Sequence, residues 1–130
     1  MQRFEKYEKS CNFATAMMTE VERYRARIDE ILVKGKGYRA SGFSAGKLAE
    51  ELGVSIYKLS RIMGEAYGMT YTDKVHSCRI QEAMRLLKNQ RWGAYTVDDI
   101  GAMVGFCNRQ SFFTAFKKMT GTTPERFRLS

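Results

Sequence analysis

Residues 105–116 read GFCNRQSFFTAF. A Gly-Phe pair ends one apolar segment, polar residues follow, and then three phenylalanines stand within five positions. Phe112 and Phe116 are one helical turn apart, so they share a face, and the polar residues before them begin the same helix. The pattern predicts a helix from Asn108 to Thr120 that is anchored by phenylalanine, exposed at its polar start and stopped by Gly121.

The same pattern occurs twice in the chain. Residues 47–70 read KLAEELGVSIYKLSRIMGEAYGMT, and residues 99–124 read DIGAMVGFCNRQSFFTAFKKMTGTTP. Apolar and glycine positions match at an offset of 52 residues before the turn and 53 after it, so the second turn is one residue longer. Each copy predicts a helix, a short glycine turn, a second helix and a glycine stop, which is the outline of a helix-turn-helix.

The other segments complete an all-α chain, in which two helix-turn-helix subdomains, about 44–68 and 96–121, are joined by a long linker helix at about 70–89. A final helix at about 123–129 begins with Pro124. An apolar stripe predicts an N-terminal helix over 14–34, and residues 35–42 have the composition of a linker. We therefore divide the chain into residues 1–42 and a domain of residues 43–130. The N-terminal helix is a dimerising coil, a connector to a missing sensor, or a helix packed on its own domain, and we expect packing.

Composition narrows the class of partner. Lys and Arg outnumber Asp and Glu by 22 to 14, a net charge of +8, which favours nucleic acid first and an anionic membrane surface second. Three widely spaced cysteines form no disulfide framework, so we expect a reducing cytoplasm. We predict no enzyme, no cofactor and no metal site, since a lone His76 near Cys78 does not supply a set of metal ligands.

The exposed face of each second helix carries the candidate base contacts. In the first copy these are Tyr57, Ser60 and Arg61, opposite the apolar Leu59, Ile62 and Met63. In the second copy they are Arg109, Gln110, Phe113 and Thr114. Arg can bind guanine and Gln can bind adenine with two hydrogen bonds each, and apolar surface can contact the thymine methyl group. The candidate phosphate contacts are Lys58, Arg79, Lys117, Lys118, Thr122 and Thr123.

Residues 48–63, 79–89 and 97–128 closely resemble the AraC/XylS transcription regulators. The most specific elements are Ile-x-x-x-Val-Gly-Phe, Phe-Lys-Lys and Thr-Gly-x-Thr-Pro, in the family's order and spacing. The resemblance implies a seven-helix unit whose two homeodomain-like recognition helices enter successive major-groove segments of double-stranded DNA, and it places the family's base-reading positions on the seven residues named above. RNA polymerase and a sensor domain, separate or missing from this chain, are further partners to consider.

The resemblance also sets the alternatives. The chain is either a short regulator with only a DNA-binding unit or a piece of a longer protein, and it acts as a monomer or weak dimer with no membrane partner. The main rival reading is a helical protein-interaction module whose basic surface meets an acidic protein. A second rival is peripheral membrane binding through the basic helix near residues 19–36. Thr114 stands at a position that is often arginine in the family, and Gly64 and Gly101 replace better helix formers, at roughly 1 kcal/mol each if they lie in ordinary helix interior. We therefore expect the second subdomain to be the looser reader.

Overall fold

The computed structural model describes residues 18–130, and within this range the chain is all-α. The α-helices, in chain order, are α1 (Glu20–Ile28), α2 (Ala45–Leu52), α3 (Ile56–Tyr67), α4 (Tyr71–Lys88), α5 (Val97–Met103), α6 (Arg109–Thr120) and α7 (Pro124–Leu129). A π-helical segment, Asp29–Lys34, extends α1, and 3-10 turns lie at Gly37–Arg39 and Gln90–Trp92. Counting α1, these are the seven helices that the resemblance implies.

Helix boundaries follow local signals in the sequence. A Ser, Thr or Asn side chain accepts a hydrogen bond from the backbone N–H three residues on at the start of every α-helix, and this satisfies a donor that the helix leaves free. The capping residues are Thr19, Ser44, Ser55, Thr70, Thr96, Asn108 and Thr123. Left-handed glycines at 53, 68 and 121 end α2, α3 and α6. The glycine stops predicted from the sequence are confirmed.

Two hydrophobic cores share α4. The first is formed by α1, α2, α3, the buried Leu32 and Tyr38, and the N-terminal half of α4. The second is formed by the C-terminal half of α4, from Ile80 onward, with α5 and α6. Leu59 and Met63 bury the inner face of α3, as Phe112 and Phe116 bury that of α6. Both second helices of the repeat are therefore fixed, by their apolar sides, to one common rod.

Helix α1 packs on the first helix-turn-helix. Ile28 and Leu32 are fully buried in its core. The Tyr67 hydroxyl donates to Asp29 Oδ1 over 2.6 Å, and Arg25 Nη1 donates to the carbonyl of Ala66 over 2.7 Å. The expectation that this helix packs is confirmed over the described part of it; the predicted start at residues 14–17 lies outside the described residues. A division at residue 42 consequently cuts through a packed core.

The segment predicted as a linker is docked on α4. Tyr38 is buried, and its hydroxyl donates to Glu82 Oε1 over 2.9 Å. Arg39 forms an ion pair with the same carboxylate, and Lys36 lies 3.5 Å from it. The glycine-rich composition suggests a free connector, but Tyr38 and Arg39 bind a buried carboxylate and hold the segment on α4.

Gly101 is not an ordinary helix position. A Cβ placed there would lie 2.5 Å from Cδ2 of Phe112, so the glycine permits α5 and α6 to approach closely. At Gly64, by contrast, a Cβ would meet open space. Gly101 is therefore no reason to expect a looser second subdomain, because this glycine lets the Phe112 ring pack directly on the backbone of α5.

Candidate nucleic-acid interface

The outer face of α3 is open to solvent. Tyr57 is 85% exposed, and Ser60 and Arg61 are exposed beside it. Arg61 has one weak partner on its own helix, with 4.0 Å between its Nε and Oε2 of Glu65. The three candidate base contacts of the first copy thus lie together on one accessible helix face.

The outer face of α6 is accessible at its N-terminal end. Arg109, Gln110 and Thr114 are exposed, whereas Phe113 is half-buried and packs on the second core. The guanidinium of Arg109 lies over the Phe113 ring, 4.1 Å from its centroid, in a cation–π contact. The structure brings the four candidates of the second copy together, and it leaves only part of the Phe113 ring available to a ligand.

Two carboxylates from other helices hold Arg109. Its Nη1 lies 2.6 Å from Asp98 Oδ1, and its Nη2 lies 3.3 Å from Glu125 Oε2. The hydrogen bond to Asp98 raises the pKa of the Arg109 guanidinium. Sequence reasoning missed both carboxylates, because they lie 11 and 16 residues away and no local spacing pairs them with Arg109.

The candidate phosphate contacts differ in accessibility. Lys117 and Lys118 are exposed at the C-terminal half of α6, and Thr122 and Thr123 are half-buried at the turn before α7. Lys58 has an ion-pair partner, because its Nζ lies 3.3 Å from Oε2 of Glu20 on α1. Lys117 and Lys118 are therefore the most accessible cations of the set.

Arg79 is a correction to the predicted phosphate contacts. The residue is 9% exposed; its Nε donates to the carbonyl of Tyr38 over 2.6 Å, and its Nη2 to that of Ala40 over 3.5 Å. Burial lowers the pKa of its guanidinium. Position on α4 and charge suggested a surface cation, but Arg79 instead binds the carbonyls of the docked segment, and we remove it from the candidate set.

An open hollow of about 540 Å³ lies between α4 and α6. Its wall on α6 includes Gln110, Thr114 and Lys118, and its wall on α4 includes Asp73 and His76. Burial lowers the pKa of His76, and 5.4 Å separates the centroid of its ring from that of Phe106. The face of α6 that carries the candidate base contacts thus borders the first turns of α4, and a short turn joins these to α3.

Neither a metal centre nor a membrane span is found in the described part of the chain. Within residues 18–130, no three His, Cys, Asp or Glu side chains are grouped as metal ligands. No helix in that range has the length and apolar character needed to cross a bilayer.

The repeated helix-turn-helix with two exposed second helices defines the class as a DNA-binding protein with two reading elements. A family model described as a helix-turn-helix domain matches residues 48–130. The probable transcription factor PqrA of Proteus vulgaris is 32% identical over 90 residues, which cover 69% of this chain and 71% of PqrA. The chain belongs to the AraC-type helix-turn-helix family of DNA-binding transcription regulators.

Solved structures have the same fold. The C-terminal domain of AraT, a response regulator from Geobacillus stearothermophilus, superposes with a TM-score of 0.70 at 27% identity, covering 87% of each chain. The xylose operon regulatory protein of Escherichia coli K12 is 25% identical over 109 residues, or 81% of this chain. The chain spans only about a quarter of that regulator's length, 27%.

Proposed function

We propose that the protein reads one asymmetric DNA site by placing α3 and α6 in successive major-groove segments. The observation that carries the proposal is the matched pair of exposed helix faces, each backed by a buried apolar face on the shared rod α4. Two readers on one rigid element need no second copy of the chain to span two groove segments. A monomer can therefore recognise a site without internal symmetry.

The residue types assign different roles to the two readers. Arg61 and Arg109 are suited to the O6 and N7 acceptors of guanine, and Gln110 to the N6 and N7 atoms of adenine. Ser60 and Thr114 supply hydroxyls that can donate or accept. Tyr57 and the accessible part of Phe113 offer aromatic surface to a thymine methyl group. Each reader helix thus combines side chains that can distinguish bases by hydrogen bonding with an aromatic side chain that can contact a thymine methyl group.

Phosphate contacts fix the protein on the duplex. Lys117 and Lys118 are exposed on α6, Lys58 lies on α3, and Thr122 and Thr123 precede α7. Releasing counterions from the phosphates makes such binding weaken as salt rises. We propose this set without Arg79, whose guanidinium is occupied inside the protein.

We infer that the protein acts in the cytoplasm, where the bacterial chromosome lies. RNA polymerase is a proposed second partner. A sensor domain is proposed as another, because the chain spans only about a quarter of the xylose regulator. The proposed state is a monomer or a weak dimer. Comparing sedimentation of the protein alone and on its DNA site separates these two states.

Selection of bound sequences from a random duplex pool, at a fixed salt concentration, tests base reading. We expect a site with two recognised segments; Arg61→Ala relaxes the preference in one segment, and Gln110→Ala relaxes it in the other. Arg91→Ala removes an exposed charge that lies on neither reading helix, and serves as the matched control.

Two outcomes contradict the proposal. If Arg61→Ala weakens binding to all sequences equally, as the control does, then Arg61 contacts phosphate alone. If the unaltered protein selects no sequence over bulk competitor, then the basic surface serves another partner, and an acidic protein becomes the better candidate.

A further inference from the structure

We infer that Asp98 and Glu125 are positioning residues that orient the Arg109 guanidinium for base reading and thereby set specificity in the second DNA segment. The inference deepens the proposed function and rests on it, since it takes Arg109 as a base contact. Neither carboxylate is expected to touch DNA bases. Their role is to fix the direction in which the arginine presents its hydrogen-bond donors.

Three helix N-termini meet at this point. Asp98 lies in the first turn of α5, Arg109 is the first residue of α6, and Glu125 lies in the first turn of α7. A carboxylate in the first turn of a helix interacts favourably with the positive end of the helix dipole. Each acid is therefore fixed to a helix other than the one that carries the arginine, and the positions of those two helices determine where the guanidinium lies.

The guanidinium is held on three sides. Asp98 binds Nη1 over 2.6 Å, Glu125 binds Nη2 over 3.3 Å, and the ring of Phe113 covers one face at 4.1 Å. A guanidinium has five N–H donors, so two single hydrogen bonds leave Nε and one hydrogen on each Nη free. Because its plane is already fixed, the arginine loses less conformational freedom when it binds a base edge.

The first reader lacks this arrangement. By the offsets of the repeat, Ile56 occupies the position of Arg109, Gly46 that of Asp98 and Thr72 that of Glu125. The arginine of the first reader, Arg61, has one partner at 4.0 Å on its own helix. The helix-turn-helix thus folds without the two carboxylates, which indicates that they serve the arginine and not the fold.

Electrostatics supports the same conclusion. Two carboxylates beside a DNA-binding helix repel phosphate and so lower affinity for every sequence. Exposed ion pairs contribute little to stability, and all three side chains here are about half exposed. An acid pair that weakens attraction to DNA and whose ion pairs add little to stability is consistent with a gain in orientation, which appears as base preference.

The test uses the full chain and the same random-duplex selection, with Asp98→Asn, Glu125→Gln, the double variant and Arg109→Ala. Glu51→Gln is the matched control, because Glu51 is exposed and forms no ion pair within residues 18–130. Arg109→Ala should remove the preference at one base pair, on the order of 5- to 100-fold for a bidentate contact. The carboxylate variants should reduce the preference at that same base pair by several-fold while binding to unselected DNA strengthens. Each variant also loses a helix-dipole interaction of about 0.3–1 kcal/mol, which lowers the melting temperature slightly and cannot change preference at a single base pair.

The outcomes separate this inference from the proposed function. If Arg109→Ala leaves every base preference unchanged, Arg109 is not a reader and the proposed function fails at this residue. If Arg109→Ala acts as expected but the carboxylate variants only strengthen binding to all sequences, as the control does, then the positioning role is wrong. A rise in preference at the Arg109 base pair would also overturn the inference, because it would show that the acids compete with DNA for the arginine.

Discussion

Replacing Gly101 by alanine adds one methyl group where α5 crosses α6. The new Cβ would lie 2.5 Å from Cδ2, 2.8 Å from Cγ and 3.0 Å from Cε2 of Phe112. The ring cannot swing aside easily, because Phe112 is 1% exposed and packs against Phe106, Phe113 and Phe116 at centroid distances of 5.3–5.9 Å. The substitution therefore forces α5 and α6 apart or moves a core ring.

Two effects of opposite sign set the magnitude. Alanine is favoured over glycine inside a helix by about 0.5–1 kcal/mol. Overpacking a well-filled core costs typically 1–3 kcal/mol. The contact at 2.5 Å is too short for the smaller cost to apply, so we expect Gly101→Ala to lower the free energy of unfolding by about 1–2 kcal/mol. For a chain of this size each kcal/mol corresponds to roughly 3–5 °C in Tm.

Gly64→Ala is the matched control. The same change is made inside a helix of the first copy, where the added Cβ meets open space. We expect this variant to gain about 0.5–1 kcal/mol, the helix propensity alone. Urea unfolding of the two variants and the unaltered chain, followed by circular dichroism, measures both differences. If both substitutions stabilise the chain equally, Gly101 is ordinary helix interior and the expected clash with Phe112 does not occur.

The remaining predictions concern Glu82 and Lys118. Burial opposes ionisation of Glu82, but hydrogen bonds from Arg39 and Tyr38 outweigh it and lower the pKa from 4.5 to about 2. This stabilisation, on the order of 2–3 kcal/mol, is fully present above about pH 4.5 and is lost as pH falls towards 2. Glu82→Gln should therefore flatten the acid side of a plot of unfolding free energy against pH. An unchanged slope between pH 4.5 and 2 would contradict the assignment of this stabilisation to Glu82. Lys118→Ala should reduce the slope of log affinity against log salt concentration by about 1 and leave base preference unchanged. Binding titrations at four salt concentrations measure this slope. An unaltered slope would remove Lys118 from the phosphate contacts.

The sequence predicts the parts of the fold that local chemistry determines. Caps such as Ser55 and Thr96 act on backbone groups three residues away, and a left-handed stop such as Gly68 acts on the turn that it ends. The buried and exposed faces of α3 and α6 follow from 3.6-residue periodicity. These signals lie within one or two helical turns of the residues that they affect, so a single sequence is enough to find them.

The features that sequence reasoning missed depend on contacts between distant segments. Arg79 has the charge and helix position of a surface cation. It is buried because its guanidinium binds the carbonyl of Tyr38, which lies 41 residues earlier in the chain. Asp98 and Glu125 likewise meet Arg109 only after three helices have packed. Whether a side chain would fit at position 101 depends on which ring faces it. In each case the deciding neighbour is set by the tertiary arrangement.

The docked segment around Tyr38 connects the two halves of the molecule. Gly105, in the turn of the second helix-turn-helix, has φ of 116°, and a Cβ there would lie 2.6 Å from the Tyr38 carbonyl oxygen and 2.8 Å from that of Arg39. The same segment is bound to α4 through Glu82 and Arg79. It therefore touches the second subdomain directly, while the helix that precedes it is buried in the core of the first. Together with α4, this docked segment therefore links the helix-turn-helix that carries α3 to the one that carries α6.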